Sequence, residues 1–251
     1  MDRDDPTCIP RRQFVQLCAS VSAGALACVS PLLLAQNAST LKPYRRAPLL
    51  DAFGLPIKAA DLKVGENYVF YYPYVSTPCF LINLGVPAHP PADLLTEKGA
   101  SYRWNGGVGP QHAIVAYSAI CAHKMSHPAK EVSFINYRHA PAAFKRSDGL
   151  DTKQPGVIYC CSEKSVYDPA QGAKVLGGPA KQPLAAIHLE HDDKTGMLYA
   201  TGTYGGEMFE RFFSEFGHRL MLEFRTKNLR AEVEKATVMP LAKICRNQIL
   251  C

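Results

Sequence analysis

Short apolar runs separated by Gly- and Pro-rich breaks dominate the chain after residue 62. Six of these runs have the length and the β-branched or aromatic content that are typical of strands. They cover residues 66–74, 78–85, 112–118, 156–160, 185–191 and 197–204. The sequence "DDKTG" separates the last two runs and predicts a hairpin turn. Many short strands of this kind predict a small antiparallel domain of stacked sheets.

The hydrophobic period changes after Gly205. Met208, Phe212 and Phe216 recur at helical spacing and are followed by Leu220 and Phe224 in the same phase. This pattern predicts an amphipathic helix over residues 206–224. We expect the helix to pack on the β domain, and a partner-binding face is the alternative.

The first 36 residues resemble an export signal. Arg11 and Arg12 directly precede an uncharged run over residues 13–36, as in twin-arginine signals, which export proteins that are already folded. We therefore expect a removed signal or an uncleaved anchor helix, with the protein at the periplasmic face of the inner membrane or in the periplasm. An ordinary amphipathic first helix is the alternative. Residues 37–62 lack periodicity and predict a linker.

Composition and charge limit the function only weakly. The chain has 251 residues, enough for one or two domains, and a net charge of +6. No dense Lys/Arg run indicates nucleic-acid binding. The nine cysteines are odd in number and unevenly spaced, which favours a metal site with scattered thiols over a disulfide framework.

Two cysteine-containing boxes carry the candidate chemistry. The first, "CAHKMSHP", begins with Cys121 and His123 directly after a predicted strand. The second, "YCCSEKSVYDP", contains Cys160 and Cys161. A thiolate and an imidazole two residues apart on a loop, followed by a second cysteine-rich loop, is a pattern that holds iron in mixed-ligand clusters.

The two boxes resemble those of the Rieske iron–sulfur proteins, which run C-x-H-x-x-C and C-x-C-H-G-S-x-Y. The similarity covers roughly residues 65–205 and includes the strand before the first box and a Gly-Pro-rich loop after the second. It implies an all-β fold of stacked antiparallel sheets with a small subdomain that binds a [2Fe-2S] cluster at about 119–180. The resulting domain would span residues 63–205, and a helical extension would follow over 206–251.

The resemblance assigns roles to five residues. Cys121 and Cys160 match the two thiolate ligands, and His123 matches one imidazole ligand. Ser165 and Tyr167 match hydroxyls that hydrogen-bond a bridging sulfide and a ligand sulfur, which raises the reduction potential.

The resemblance also shows a lost disulfide. Ser126 and Ser162 occupy the positions where quinol-oxidising members link the two boxes by a disulfide. Both positions are serine here, so that link is absent. A disulfide between the adjacent residues Cys160 and Cys161 is a separate alternative to metal binding.

The second imidazole is also missing, because Glu163 stands at its position and Lys164 replaces the glycine that follows. Three outcomes stay open. Glu163 ligates iron through its carboxylate, or Cys161, His127 or His139 supplies the fourth ligand, or no cluster forms. Aligning the second box from Cys161 instead of Cys160 also places no histidine at the ligand position.

The resemblance implies a one-electron carrier subunit of an exported or membrane-bound respiratory or oxidase complex, with no catalytic residue of its own. The expected partners are a cytochrome b or a c-type cytochrome, or the large subunit of a molybdenum enzyme. With His123 as the single candidate imidazole, electron relay is favoured over quinol oxidation. The alternative is a Rieske-fold protein that has lost its cluster and holds an assembly together. A ferredoxin of a ring-hydroxylating oxygenase is a third and weaker hypothesis.

Overall fold

The computed structural model describes residues 41–89 and 92–251, and β-strands dominate this part of the chain. Numbered along the chain, the strands are β1 (Lys42–Leu50), β2 (Tyr68–Tyr71), β3 (Pro78–Asn83), β4 (Ala92–Leu95), β5 (Ser101–Trp104), β6 (Ile114–Ser118), β7 (Val132–Ser133), β8 (Ile135–Arg138), β9 (Ala142–Lys145), β10 (Asp151–Gln154), β11 (Val157–Cys160), β12 (Ser165–Asp168), β13 (Lys174–Gly177), β14 (Ala186–His191), β15 (Leu198–Tyr204), β16 (Ala236–Thr237), β17 (Met239–Pro240) and β18 (Asn247–Gln248). The helices are α1 (Met208–Phe224) and α2 (Leu241–Ile244), with 3-10 turns at Ala59–Asp61 and Pro169–Gln171.

The main sheet has eight strands in the order β16-β1-β15-β14-β6-β3-β2-β17. It is antiparallel except for the parallel pair β1 and β16, so the sheet is mixed. Its interior strand β3 is buried on both faces: Cys79 and Leu81 belong to one hydrophobic core, and Phe80 and Ile82 belong to the other. This arrangement explains why the strand reads as a continuous apolar run.

A smaller antiparallel sheet, in the order β13-β12-β11-β8, carries the second cysteine box. Strands β11 and β12 form a hairpin in which Cys160 pairs with Ser165 across the two strands. Three two-stranded ladders, β4-β5, β9-β10 and β7-β18, complete the strand pairing within residues 41–89 and 92–251. The small sheet lies within the range of about 119–180 over which the resemblance implied a cluster-binding subdomain.

Helix α1 packs on the β domain, as its apolar period predicted. Its buried side chains belong to the same core as the first cysteine box, and they are Met208, Phe209, Phe212, Phe213 and Leu220. The helix ends at Arg225, which adopts a left-handed conformation with its backbone N–H bonded to the carbonyl of Met221.

All six predicted strands are present, and β14 and β15 form the predicted hairpin. The prediction of an all-β fold is confirmed. The predicted linker over residues 37–62 is wrong for residues 42–50, which form β1 in the main sheet. Pro43, Pro48 and three basic residues in this strand, together with a shift in its pairing register, hide the alternation that identifies strands.

The helical extension predicted over residues 206–251 is only partly helical. After α1 the chain returns to the β domain, because β16 and β17 extend the main sheet and β18 pairs with β7. The predicted signal or anchor over residues 1–36 lies outside the described residues. Along the part of the chain that the structure describes, no helix combines the length and the apolar character needed to cross a membrane.

Candidate metal centre

The first cysteine box is a tight loop that closes on itself. The backbone N–H of Cys121 donates to the carbonyl of Ser126 (2.8 Å), and the N–H of Met125 donates to the carbonyl of Cys121 (2.9 Å). Met125 is buried and has a left-handed backbone, with φ of 54°. The loop follows β6 directly, so the sheet fixes where Cys121 enters it.

The second box is the turn between β11 and β12. Cys160 ends β11, where it pairs with Ile135 of β8 on one side and with Ser165 of β12 on the other. Lys164, just before Ser165, has φ of 60°. The left-handed conformation explains why the related boxes carry glycine at this position.

The two loops bring their thiols together. Cys121 and Cys160 are fully buried in one hydrophobic core, and a hydrogen bond between their thiols is the leading cause of the pKa shift of each. The hydroxyl of Tyr167 lies 3.3 Å from the sulfur of Cys121 and accepts a hydrogen bond from the backbone N–H of Ala122 (3.1 Å). Tyr167 therefore joins the second box to the first.

This geometry separates the acidities of the two thiols. The hydrogen bond from Cys160 lowers the pKa of Cys121 to about 6, with further hydrogen bonds from the Tyr167 hydroxyl and the backbone N–H groups of His123 and Lys124. The same hydrogen bond raises the pKa of Cys160, and burial raises it further. This arrangement therefore favours the thiolate at Cys121, and the thiolate is the form of cysteine that binds metals.

Two residues to which the resemblance assigns a role at the cluster have a buried polar atom without a hydrogen-bond partner among the described residues. The atoms are Nδ1 of His123 and Oγ of Ser165. An unsatisfied buried polar atom costs about 1–3 kcal/mol. A metal bound at the imidazole nitrogen and a sulfide accepting from the hydroxyl would satisfy both atoms. Cys121, Cys160 and His123 thus fit three of the four ligand positions of a mixed-ligand cluster.

The fourth ligand position of the resemblance is occupied by Glu163. Glu163 lies on the exposed turn of the second box. Across residues 41–89 and 92–251, no three or more His, Cys, Asp or Glu side chains are grouped so that they could hold a single metal ion. A two-iron cluster divides its ligands between two atoms, and the role of Glu163 stays a prediction.

Cys161 is not a candidate ligand, because it forms a disulfide with Cys251. This finding corrects the suggested iron ligation by Cys161 and the alternative of a Cys160–Cys161 disulfide. Cys160 keeps a free thiol. Cys251 was missed because nothing in the sequence pairs a cysteine with a partner 90 residues away.

His127 and His139, the two histidines suggested as a fourth ligand, lie in different places. His139 follows β8 at the end opposite Ile135, where its side chain is exposed beside Gly65, so the structure corrects its suggested role as a ligand. His127 packs edge-on against Phe212 and Phe216 of α1. Its role as a ligand stays a prediction.

The Gly-Pro-rich loop after the second box covers the turn of that box closely. Gly178 has φ of 81°, and a Cβ there would overlap the carbonyl oxygen of Lys164. At Gly177 a Cβ would overlap the carbonyl oxygen of Lys145. Glycine is therefore required at both positions, and at Gly178 the loop lies against the turn.

Arg211 of α1 makes a contact with the first box that the sequence did not indicate. Its guanidinium donates to the carbonyl oxygen of His123 (2.7 Å) and also pairs with Glu215. The helix thus supports the first box from outside the region of resemblance. Periodicity could place Arg211 on the polar face of the helix, but not opposite this carbonyl.

Known proteins that are similar to this chain include one relative in sequence and one neighbour in structure. No family model matches the sequence. Iodate reductase subunit IdrB of Denitromonas iodatirespirans is 27% identical over 214 residues, which cover 82% of this chain and 90% of that protein. Among solved structures, the soluble domain of the Rieske protein II from Sulfolobus acidocaldarius matches with 23% identity and a TM-score of 0.41, over 64% of this chain and 78% of that chain.

Proposed function

We propose that this chain, which is a Rieske-type protein, passes one electron at a time as a subunit of an oxidoreductase complex. The observation that carries the proposal is the burial of the free Cys121 and Cys160 thiols in one core, with the Tyr167 hydroxyl 3.3 Å from the sulfur of Cys121. The similarity to a subunit of iodate reductase over most of both chains supports the role as a subunit.

The residues at the centre have separate roles in this proposal. Cys121 and Cys160 would bind one iron as thiolates, and Nδ1 of His123 would bind the other. Ser165 and Tyr167 would donate hydrogen bonds to sulfur, which favours the reduced state. A [2Fe-2S] cluster held here would supply a one-electron couple.

Electron relay suits these residues better than quinol oxidation. Quinol oxidation needs an imidazole that is bound to iron and also accepts a proton from the substrate. His123 is the single imidazole at a matching position, and Arg211 fixes the carbonyl of this residue from the helix side. A relay needs no such proton transfer.

The partner that we propose is the large catalytic subunit of a molybdenum enzyme. The name of the iodate reductase relative supports assembly with a catalytic subunit. A cytochrome b or a c-type cytochrome is the alternative partner. Co-purification from the native source, followed by metal analysis of the accompanying chain, tests this assignment.

The proposed location is the periplasm or the periplasmic face of the inner membrane. The support is the pair Arg11 and Arg12 before an uncharged run, which lies outside the described residues. Replacing both arginines by lysine should leave the protein in the cytoplasm, and cell fractionation measures this directly. Unchanged export would refute the proposed route.

A cluster-free structural subunit is the second candidate. The exposed position of Glu163, where the second imidazole is expected, favours it. Iron and acid-labile sulfide separate the two functions: the electron carrier requires about two of each per chain, with a mixed-ligand electron paramagnetic resonance signal on reduction. Protein that lacks both would leave the structural role.

A further inference from the structure

We propose that residues 245–251 form a strap that fixes the position of the predicted ligand Cys160 through the disulfide between Cys161 and Cys251. The inference rests on the proposed function, since the position of Cys160 matters to electron transfer only if its sulfur binds iron. Cys161 and Cys251 are then positioning residues and not ligands.

The strap is first held by backbone pairing to the segment before β8. Strand β18 pairs in parallel with β7. On either side of this pair, the N–H of Arg246 donates to the carbonyl of Lys130 (3.0 Å), and the N–H of Ile249 donates to the carbonyl of Ser133 (2.9 Å). The strap therefore follows residues 130–133 without a break.

The same segment contacts the second cysteine box on its other side. Ile135 pairs with Cys160, and the N–H of Cys161 donates to the carbonyl of Phe134 (2.7 Å). The Asn136 side chain donates to the carbonyl of Ile249 (2.9 Å). Residues 130–136 thus lie between the strap and the second box, and they link the two.

The disulfide then joins the strap to the second box directly. The N–H of Cys251 lies 2.9 Å from the sulfur of Cys161, and Arg138 donates to the carbonyl of Cys251 (2.8 Å). Because Cys161 follows Cys160 in the chain, a covalent bond at Cys161 limits the motion of the ligand backbone. Disulfides act in this way, by removing alternative conformations.

The turn of the second box needs such a restraint. Ser162, Glu163 and Lys164 are exposed, and Lys164 adopts a left-handed backbone. Ser126 and Ser162 cannot form a covalent link between the boxes. Within the described residues, the Cys161–Cys251 bond is the covalent cross-link that reaches this turn.

The test compares Cys251→Ser with Cys245→Ser in the full chain, purified without reductant. Cys245 lies in the same strap but has a free thiol, so its variant is the matched control. Peptide mass spectrometry should find residues 161 and 251 linked in the wild type and in Cys245→Ser. Hydrogen exchange of the peptide 160–165 should be roughly tenfold or more faster in Cys251→Ser, and unchanged in the control.

A second readout separates positioning of the ligand from general stabilisation. The midpoint potential and the electron paramagnetic resonance g-values of the reduced protein should shift in Cys251→Ser and stay unchanged in Cys245→Ser. Brief reduction of the wild-type disulfide should reproduce the faster exchange, and reoxidation should reverse it. This experiment needs no variant, so it also serves if Cys251→Ser fails to fold.

The possible results distinguish the strap from the proposed function. Absence of the linked peptide, or equal exchange at 160–165 with and without the bond, would overturn the strap. Faster exchange together with an unchanged potential and unchanged g-values would overturn the positioning of the ligand. Iron-free wild-type protein that keeps the exchange difference would contradict the proposed function while supporting the strap as a restraint on the turn.

Discussion

Nη2 of Arg211 lies 2.7 Å from the carbonyl oxygen of His123 and donates a hydrogen bond to it. This contact joins α1, which lies outside the region of resemblance, to His123, the imidazole that matches a ligand position of the centre. His127, in the same loop, packs against the next turns of the helix. The helix is therefore part of the support of the candidate centre.

Removing the Arg211 guanidinium should loosen the first box. We expect Arg211→Met to destabilise the protein by about 1 kcal/mol, because a charge-assisted hydrogen bond at a partly exposed site is lost. Urea unfolding measures this change, and hydrogen exchange at residues 121–126 localises it.

The control for this prediction is Glu215→Gln, which removes the exposed ion pair of Arg211 and keeps the bond to His123. It should cost less than about 0.5 kcal/mol. Equal costs for the two variants would show that the bond to His123 contributes nothing to stability.

Because Gly178 lies close to the second box, we expect alanine to cost more stability at Gly178 than at Gly54. Gly178 and Gly54 share φ of 81°, but a Cβ at Gly54 has nothing within 4 Å, whereas at Gly178 it meets the backbone of Lys164. Gly54→Ala should therefore cost about 1 kcal/mol, from backbone strain alone. Gly178→Ala should cost about 2 kcal/mol more, because the backbone must move.

Thermal and urea unfolding of the two alanine variants test this asymmetry. Similar losses of stability would mean that the Gly-Pro-rich loop does not lie against the turn of the second box.

Lys164 carries strain that glycine would relieve. Its φ of 60° disfavours any side chain with a Cβ, so Lys164→Gly should leave stability unchanged or raise it by up to about 1 kcal/mol. Lys153→Gly, in strand β10, is the control and should destabilise by about 1 kcal/mol. If Lys164→Gly lost as much stability as Lys153→Gly, the left-handed turn would be refuted.

Because His127 is largely buried, we expect the protein to lose stability in acid. Burial lowers its pKa below the ordinary value, and the charge of Arg219 lowers it further. The unfolded chain therefore takes up the proton more readily, so stability is constant above about pH 6.5 and falls as the pH drops below that value. His127→Phe, which retains ring packing with Phe212 and Phe216, should reduce this fall.

Urea unfolding at several pH values between about 5 and 8 measures the effect. His188 titrates in the same direction, because burial lowers its pKa too, so the slope should shrink without vanishing. An identical slope in the wild type and in His127→Phe would show that His127 is not buried as described.

The sequence predicted the parts of the fold that depend on local pattern. The six strands and α1 have unbroken periods, and the boxes are short motifs in which Cys121, Cys160 and Tyr167 keep their spacing. The expectation that Cys121, Cys160 and Tyr167 belong to one site came from the resemblance.

Contacts between distant segments could not be predicted in this way. Strand β1 is stabilised by β15 and β16, and its prolines mask its own pattern. The Cys161–Cys251 bond and the contact of Arg211 with His123 depend on how separate segments pack. Residue spacing in a single sequence carries no record of such packing.

The most direct test of the central claim is iron and acid-labile sulfide analysis of the wild-type protein and of Cys121→Ala, both purified from the native source. The wild type should contain about two iron and two sulfide per chain, and Cys121→Ala should contain neither. Iron that is absent from the wild type, or that survives the loss of the Cys121 thiol, would contradict a cluster held between the two loops.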